Sequence, residues 1–331
     1  MSGSDDRLAW RTFNLNWIPI AALGAALLIG IARTNFSLEP VAFGVTSAVA
    51  FSLALIAYVH AFSKAEAADP KLVYWVGTTA QVILVTAIVG PLSYLANAAG
   101  WPLQDQALLS IDRAIGMDPE SIAAFVNNHQ WLAKCFDTGY GFIKWPLLGV
   151  PIILAMKLRF IRLQQFILAL NIALIVTIVI SVFVPAIGTY YGLNVSPERF
   201  PLLNGSIYAS QLRDILSLRD GSLRQIELFK LSGIVSFPSF HAASAVLYAW
   251  ALWPVRGFIR YAASGINGLM LASTPVIGAH YMIDVIAGVL LAALAILLAK
   301  YFFRILASGN TAGARANSTA ETIPQLALGQ S

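Results

Sequence analysis

Apolar residues run along this 331-residue chain in long blocks separated by short polar stretches. Blocks lie near 15–33, 41–63, 72–97, 138–156, 164–187, 239–255, 258–276 and 281–303. Each approaches or exceeds the ~20 helical residues that cross a hydrocarbon core, so the pattern predicts eight membrane-spanning helices. The first block reads as a retained span and not as a cleaved leader, because acids share its N-terminal flank and no persuasive cleavage site follows it. Residues 308–331 are rich in Ala, Ser, Thr, Gly and Gln without a period, and read as a disordered tail.

Two long connections interrupt the blocks. Residues 98–137 place Leu108, Leu109, Ile111, Ile115, Ile122, Phe125 and Val126 at helical spacing among Asp, Arg and Asn, which predicts an amphipathic helix lying at the interface. Residues 188–235 are polar and carry Arg199, Arg213, Arg219, Arg224 and Lys230. With eight spans, twelve Lys and Arg residues fall on the side of the N-terminus, mostly in short connections, and eight on the other side. The excess of basic residues in short loops assigns both termini to the cytoplasm and both long connections to the outward face.

Composition narrows the class. Hydrophobic residues make up 58% of the chain and charged residues 11%, with mean hydropathy +0.73. A soluble domain carries about a quarter charged residues, so a water-soluble or nucleic-acid-binding protein is excluded in favour of a membrane protein. The formal charge of +5 matters through its distribution and not its sum. The one cysteine, Cys135, forbids an intramolecular disulfide and reads as a spare core thiol.

The chain has four histidines. His60, near the end of the second block, reads as structural, and His129, in the amphipathic connection, as an interfacial surface residue. His241 and His280 are different. His241 sits in Ser236-Phe237-Pro238-Ser239-Phe240-His241, where the sixth block begins, and His280 in Gly278-Ala279-His280-Tyr281-Met282-Ile283-Asp284, where the eighth begins. One two-span hairpin separates them, so both lie on the outward face at similar depth. Asp284 follows His280 by four residues and shares its helix face.

Ionisable groups at a helix entrance in a membrane are costly and point to function. A carboxylate on one imidazole nitrogen leaves the other free to attack phosphorus. A second histidine can protonate the leaving oxygen, and Ser239 with the first N–H groups of the sixth helix can bind phosphate oxygens. The same residues could form a buried hydrogen-bonded cluster, a proton relay or a zinc site. Zinc is the weaker reading, since no other Cys or His near them in sequence supplies a third and fourth ligand.

At these residues the chain resembles the type 2 phosphatidic acid phosphatase superfamily, which carries Pro-Ser-Gly-His and, later, Ser-Arg-x5-His-x3-Asp. Here the first appears as Pro238-Ser239-Phe240-His241 and the second as Ser273-Thr274, five residues, His280, three residues, Asp284. Phe240 replaces the usual glycine, Thr274 replaces the usual arginine, and the family's Lys-x6-Arg-Pro motif is missing. Phe-Pro-Ser-Phe-His and Gly-x-His-Tyr-x-x-Asp-x-x-Ala-Gly are similar to the branch that contains the inositol phosphorylceramide synthases. So are the run Ile111-Asp112-Arg113-Ala114-Ile115-Gly116-Met117-Asp118 and the Pro185-Ala186-x-Gly188 element.

The resemblance implies an all-α polytopic membrane helix bundle of about eight spans with a phosphatase-type core of about six helices. It divides the chain into an N-terminal segment with two spans (1–69), a catalytic domain (70–305) and a cytoplasmic tail (306–331). The implied activity is a membrane phosphoesterase acting on a lipid phosphate or phosphodiester, in a bacterial inner (plasma) membrane, with the active site facing outward and without cofactor or metal. His280 would form a phosphohistidine, Asp284 would orient it, and His241 would serve as acid and then base. Ser239, Lys230, Arg219, Lys144 and Tyr140 would surround the phosphate. The alternatives are a phosphotransferase that moves a headgroup phosphate to a lipid alcohol, a proton-coupled transporter, and a scaffold with a decayed site.

Overall fold

The computed structural model of the protein describes residues 3–63 and 68–327. Lys64, which entered the charge count, and the last four residues of the expected tail lie outside them. The fold is an all-α bundle. Helices α1 (Gly3–Leu15) and α2 (Trp17–Arg33) meet at Asn16, and α3 (Pro40–Ser63) and α4 (Pro70–Ala98) follow. A series of short helices contains α5 (Asp105–Ala114), α6 (Pro119–Asn127) and α7 (Gln130–Tyr140), the last continuing into α8 (Lys144–Met156). Then come α9 (Phe160–Phe183), the short α10 (Thr189–Leu193), α11 (Ser206–Asp220), α12 (Phe240–Leu252), α13 (Phe258–Ile277) and α14 (Met282–Ala327). The last helix therefore continues into the stretch expected to be a patternless tail.

Six helical segments among the described residues are long and apolar enough to cross a membrane: Asp5–Arg33, Pro40–Phe62, Pro70–Ala98, Gln130–Met156, Phe160–Phe183 and Met282–Ser308. The remaining two predicted blocks form α12 and α13. With 13 residues, α12 is about 20 Å long, shorter than the hydrocarbon core, because Pro238 and Ser239 delay its start and Pro254 follows its end.

Helices α4 and α9 form the middle of the bundle. Leu163, Phe166, Ile167 and Leu170 of α9 pack with Val82, Val85 and Ile88 of α4 in one buried cluster. By contrast α3 exposes Val41, Val45, Phe51, Leu55 and Val59, the pattern of a helix facing lipid. Polar clasps within the apolar core fix the N-terminal helices: Asn16 Nδ2 donates to Gln164 Oε1 at 3.0 Å, and Gln81 Nε2 donates to the Phe13 carbonyl at 2.9 Å.

The 98–137 connection differs from the single interfacial helix predicted for it. Gly116, at φ +78°, and Pro119 break it into α5 and α6, and its final part, α7, joins the fourth span. Leu108, Leu109 and Val126 turn inward while Ile111, Ile115 and Phe125 stay exposed. Cys135 is exposed on α7, not a core thiol, because the buried side of that helix runs through Ala133, Gly139 and Tyr140. A two-residue parallel ladder joins β1 (Ser37–Leu38) to β2 (Gln225–Ile226), which ties the α2–α3 turn to the segment that precedes α12.

Replacing Asn16 by Ala leaves the Gln164 amide unpaired inside the bundle. The expected cost is ~1–3 kcal/mol, read as a lower unfolding midpoint in detergent, with no change in the packing around His280.

Candidate active site

The starts of α12 and α14 meet at one end of the bundle. Ser239 is the N-cap of α12, its Oγ accepting from the Ala242 N–H at 3.4 Å. Its own N–H donates to the Asp284 carbonyl of α14 at 3.0 Å. This crossing needs Gly288: a Cβ there would fall against the Ser239 carbonyl and, at 3.0 Å, the Ala242 Cβ. Small residues permit such close helix approach. Gly288 is the last residue of the Gly-x-His-Tyr motif, which gives that glycine a physical reason.

The Asp284 carboxylate organises the chemistry. Its Oδ2 accepts from Ser236 Oγ at 2.7 Å, from the Tyr281 N–H at 3.1 Å and from His280 Nδ1 at 3.3 Å. The pair is sealed, with side-chain exposures of 2% for His280 and 0% for Asp284. Donation from Nδ1 leaves the Nε2 lone pair free, and Ser239 Oγ lies 3.4 Å from Nε2. Across from it stands His241, its ring centroid 6.3 Å from that of His280. Tyr140 stacks on His241 at 4.1 Å with the planes 10° apart, and its hydroxyl lies 3.4 Å from His241 Nδ1. Two near-attack contacts of about 3–3.5 Å each, placed end to end, span close to the separation of the two rings.

Two further buried carboxylates hold this arrangement from the outside. Asp112 of α5 accepts from the Met282 N–H at 2.6 Å and the Ile283 N–H at 2.9 Å, capping α14 with both oxygens. A carboxylate at a helix N-terminus is favoured by the helix dipole. Asp105 accepts from the Ile187 and Gly188 N–H groups at 3.0 and 2.8 Å and from the Tyr281 hydroxyl at 2.9 Å. Burial holds both carboxyls above the usual carboxylate range, and the donated hydrogen bonds oppose that shift only in part. Gly188, at φ +132°, lies so close to the loop that an added Cβ would sit 2.5 Å from the Ala279 carbonyl, which itself accepts from the Thr189 N–H at 2.8 Å. Ala279 is held at φ 53°, a conformation that costs a non-glycine residue roughly 1–2 kcal/mol. The adjoining loops thus hold His280 in its geometry.

The site therefore brings together His241, His280, Asp284, Ser239 and Tyr140 from the sequence reading. It does not bring the expected cations to them. Lys230 is exposed and pairs with Glu227 at 2.8 Å, Arg219 donates to the Trp101 carbonyl at 2.9 Å, and Lys144 is exposed at the start of α8. Thr274, standing where the family has arginine, is buried and donates to the Met270 carbonyl at 2.8 Å. Sequence reasoning missed Ser236 and Asp105 as supports. Asp112 and Gly188 lay inside runs noted as family-like, but their partners are distant in sequence. His60 accepts from the Asp69 N–H at 3.2 Å, and His129 stays exposed, its Nδ1 2.7 Å from the Phe125 carbonyl.

Beside His280 lies a cavity of about 10 Å³ lined by Asp112, Ile122 of α6, Thr189 and Leu193 of α10, Phe200 and Val276 among others. Among the described residues no cluster of His, Cys, Asp and Glu is arranged to hold a metal ion. A family model described as the PAP2 superfamily matches residues 106–298, more than half of the chain. No curated protein matches the chain, and no solved structure does.

Gly288→Ala should force α14 away from α12, at a cost of ~1–3 kcal/mol, and Asp112→Ala should remove the cap of α14. Thermal unfolding would register both, and Asp112→Asn, which retains one acceptor oxygen, should recover part of the loss.

Proposed function

The chain belongs to the PAP2 superfamily of phosphatase-type membrane enzymes, and on that premise we propose that it transfers a phosphoryl group from a phosphorylated lipid through a phosphohistidine on His280. The observation that carries the reading is the buried Asp284–His280 pair, which holds Nδ1 and leaves Nε2 facing Ser239, with His241 opposite.

In the first step His280 Nε2 attacks phosphorus as the bond to the leaving oxygen breaks. His241 gives that oxygen its proton, so an alcohol departs and Nε2 carries the phosphoryl group. Asp284 stabilises the resulting imidazolium, as a carboxylate does for a histidine that gains charge. In the second step His241 takes the proton of the acceptor hydroxyl, whose oxygen attacks phosphorus and frees Nε2. Ser239 Oγ and the first N–H groups of α12 bind the non-bridging oxygens, since a helix N-terminus favours anions. Tyr140 holds the His241 ring by stacking. Of the three cations, Lys144 follows Tyr140 by four residues and would have to turn inward from its exposed position to reach the phosphate. Lys230 and Arg219 would have to leave their present partners to serve.

Water as acceptor makes the protein a phosphoesterase, and a lipid alcohol makes it a transferase of the inositol phosphorylceramide synthase type. The likeness of the motifs around His241 and His280 to the synthase branch favours the second reading.

The test is purified protein in detergent offered phosphatidic acid, a prenyl pyrophosphate, or ceramide with phosphatidylinositol. Phosphate or a new phospholipid should appear, His280→Ala should abolish it, and His241→Ala should lower turnover roughly 10²–10⁴-fold. Acid quenching at low pH should destroy a labelled phosphoenzyme that alkali preserves, and a chelator should leave turnover unchanged. Turnover that survives His280→Ala would sink the mechanism.

A further inference from the structure

At the opposite end of the bundle from His280, three grooves adjoin. The first, about 310 Å³, is lined by Arg159, Arg162, Gln165 and Asp5. The second, about 350 Å³, shares Ile161 and Gln165 with it and adds Lys300, Phe303 and Arg304. The third, about 230 Å³, shares Phe303 with the second and runs between Leu15, Ile18, Leu168 and Phe302. They lie side by side between α1, the start of α2, α9 and α14, basic at one end and apolar at the other, and are taken together as one trough.

Among the described residues no carboxylate forms an ion pair with Arg159, Lys300 or Arg304. Arg162 stacks on Trp250 at 3.6 Å and donates to the Trp250 and Ala251 carbonyls, and Lys300 Nζ lies 5.8 Å from the centroid of the same ring, a contact that leaves its charge available to an anion. Asp5 is the one acid in the lining. The sixteen residues from Asp284 to Lys300 along α14 put about 24 Å between this trough and the candidate active site, which is close to one hydrocarbon thickness.

A cationic basin that opens into an apolar channel at a helix end complements an amphiphile with an anionic head. Basic pockets between transmembrane helices recognise anionic headgroups, each cation contributing modestly near the membrane surface. We propose that this trough is a binding site for one anionic phospholipid, its phosphate among Arg159, Lys300 and Arg304 and an acyl chain along Ile18, Leu168 and Phe302. The site is separate from the phosphoryl-transfer centre and does not depend on that reading.

The experiment uses the full chain, delipidated in detergent and carrying His280→Ala so that the catalytic site turns nothing over. Phosphatidylglycerol and phosphatidylcholine with identical chains are titrated in, and bound lipid is counted by native mass spectrometry alongside the unfolding midpoint. One phosphatidylglycerol should be retained, with a raised midpoint, and phosphatidylcholine should not. The double variant Lys300→Gln, Arg304→Gln should weaken retention about 25-fold, at about fivefold per charge. Ile18→Trp, which fills the channel and leaves every charge in place, should also displace the lipid. Equal retention of the two lipids, retention unchanged in these variants, or displacement by millimolar inorganic phosphate would each overturn the proposal. The last outcome would mean a site for a free anion. Retention by the unmutated protein that disappears with His280→Ala would place the lipid in the catalytic centre and overturn it as well, whereas loss of turnover alone leaves it standing.

Discussion

Asp284 ties the beginnings of two helices together, and the candidate site depends on that tie. Its side chain takes hydrogen bonds from Ser236, from the Tyr281 N–H and from His280, while its main-chain carbonyl takes the Ser239 N–H. One residue thus fixes the tautomer of one histidine and the position of the helix that carries the other. The donors to Oδ2 and the aligned amides of α14 offset part of the desolvation of this buried carboxylate, whose Oδ1 has no hydrogen-bond partner among the described residues. Gly288 makes the tie possible by letting the backbones approach, and the two features work only together.

The segments around α5 and α10 act as a frame around this tie. Asp105 and Asp112 each use both carboxylate oxygens, mainly on backbone N–H groups of distant segments, so α5 is fastened to the loop before α10 and to the start of α14. That fastening holds Ala279 in a conformation it would not choose, and with it His280. Strain of this kind persists where the surroundings over-determine the backbone, and it accumulates at functional sites. The same segments cover His280 with apolar side chains and keep it from water.

Much of this was legible in the sequence. The apolar blocks located the long helices because helix in lipid is dictated by length and hydropathy alone. The His241–His280–Asp284 set followed from spacing, since one hairpin returns the chain to the same face and a four-residue step keeps Asp284 beside His280. The frame was not legible. Asp105 reaches Gly188 and Asp112 reaches Met282, and a carboxylate that bonds to backbone amides leaves no matching side chain to find in the sequence. The amphipathic connection was mistaken for one helix because apolar periodicity does not register the turn at Gly116 and Pro119. Proximity in sequence also misled for Arg219 and Lys230, whose side chains meet Trp101 and Glu227 instead.

The ladder between β1 and β2 has a consequence for how the protein is made. It pairs residue 37 with residue 225, and the stretch that matches the family begins only at residue 106. The first two spans therefore enter the membrane long before their strand partner has been synthesised. Contacts of such high sequence separation form late and slowly. Until β2 has emerged β1 is an open edge, and its closure joins the α2–α3 turn to the family-matched stretch before α14, which packs against α1, has been made.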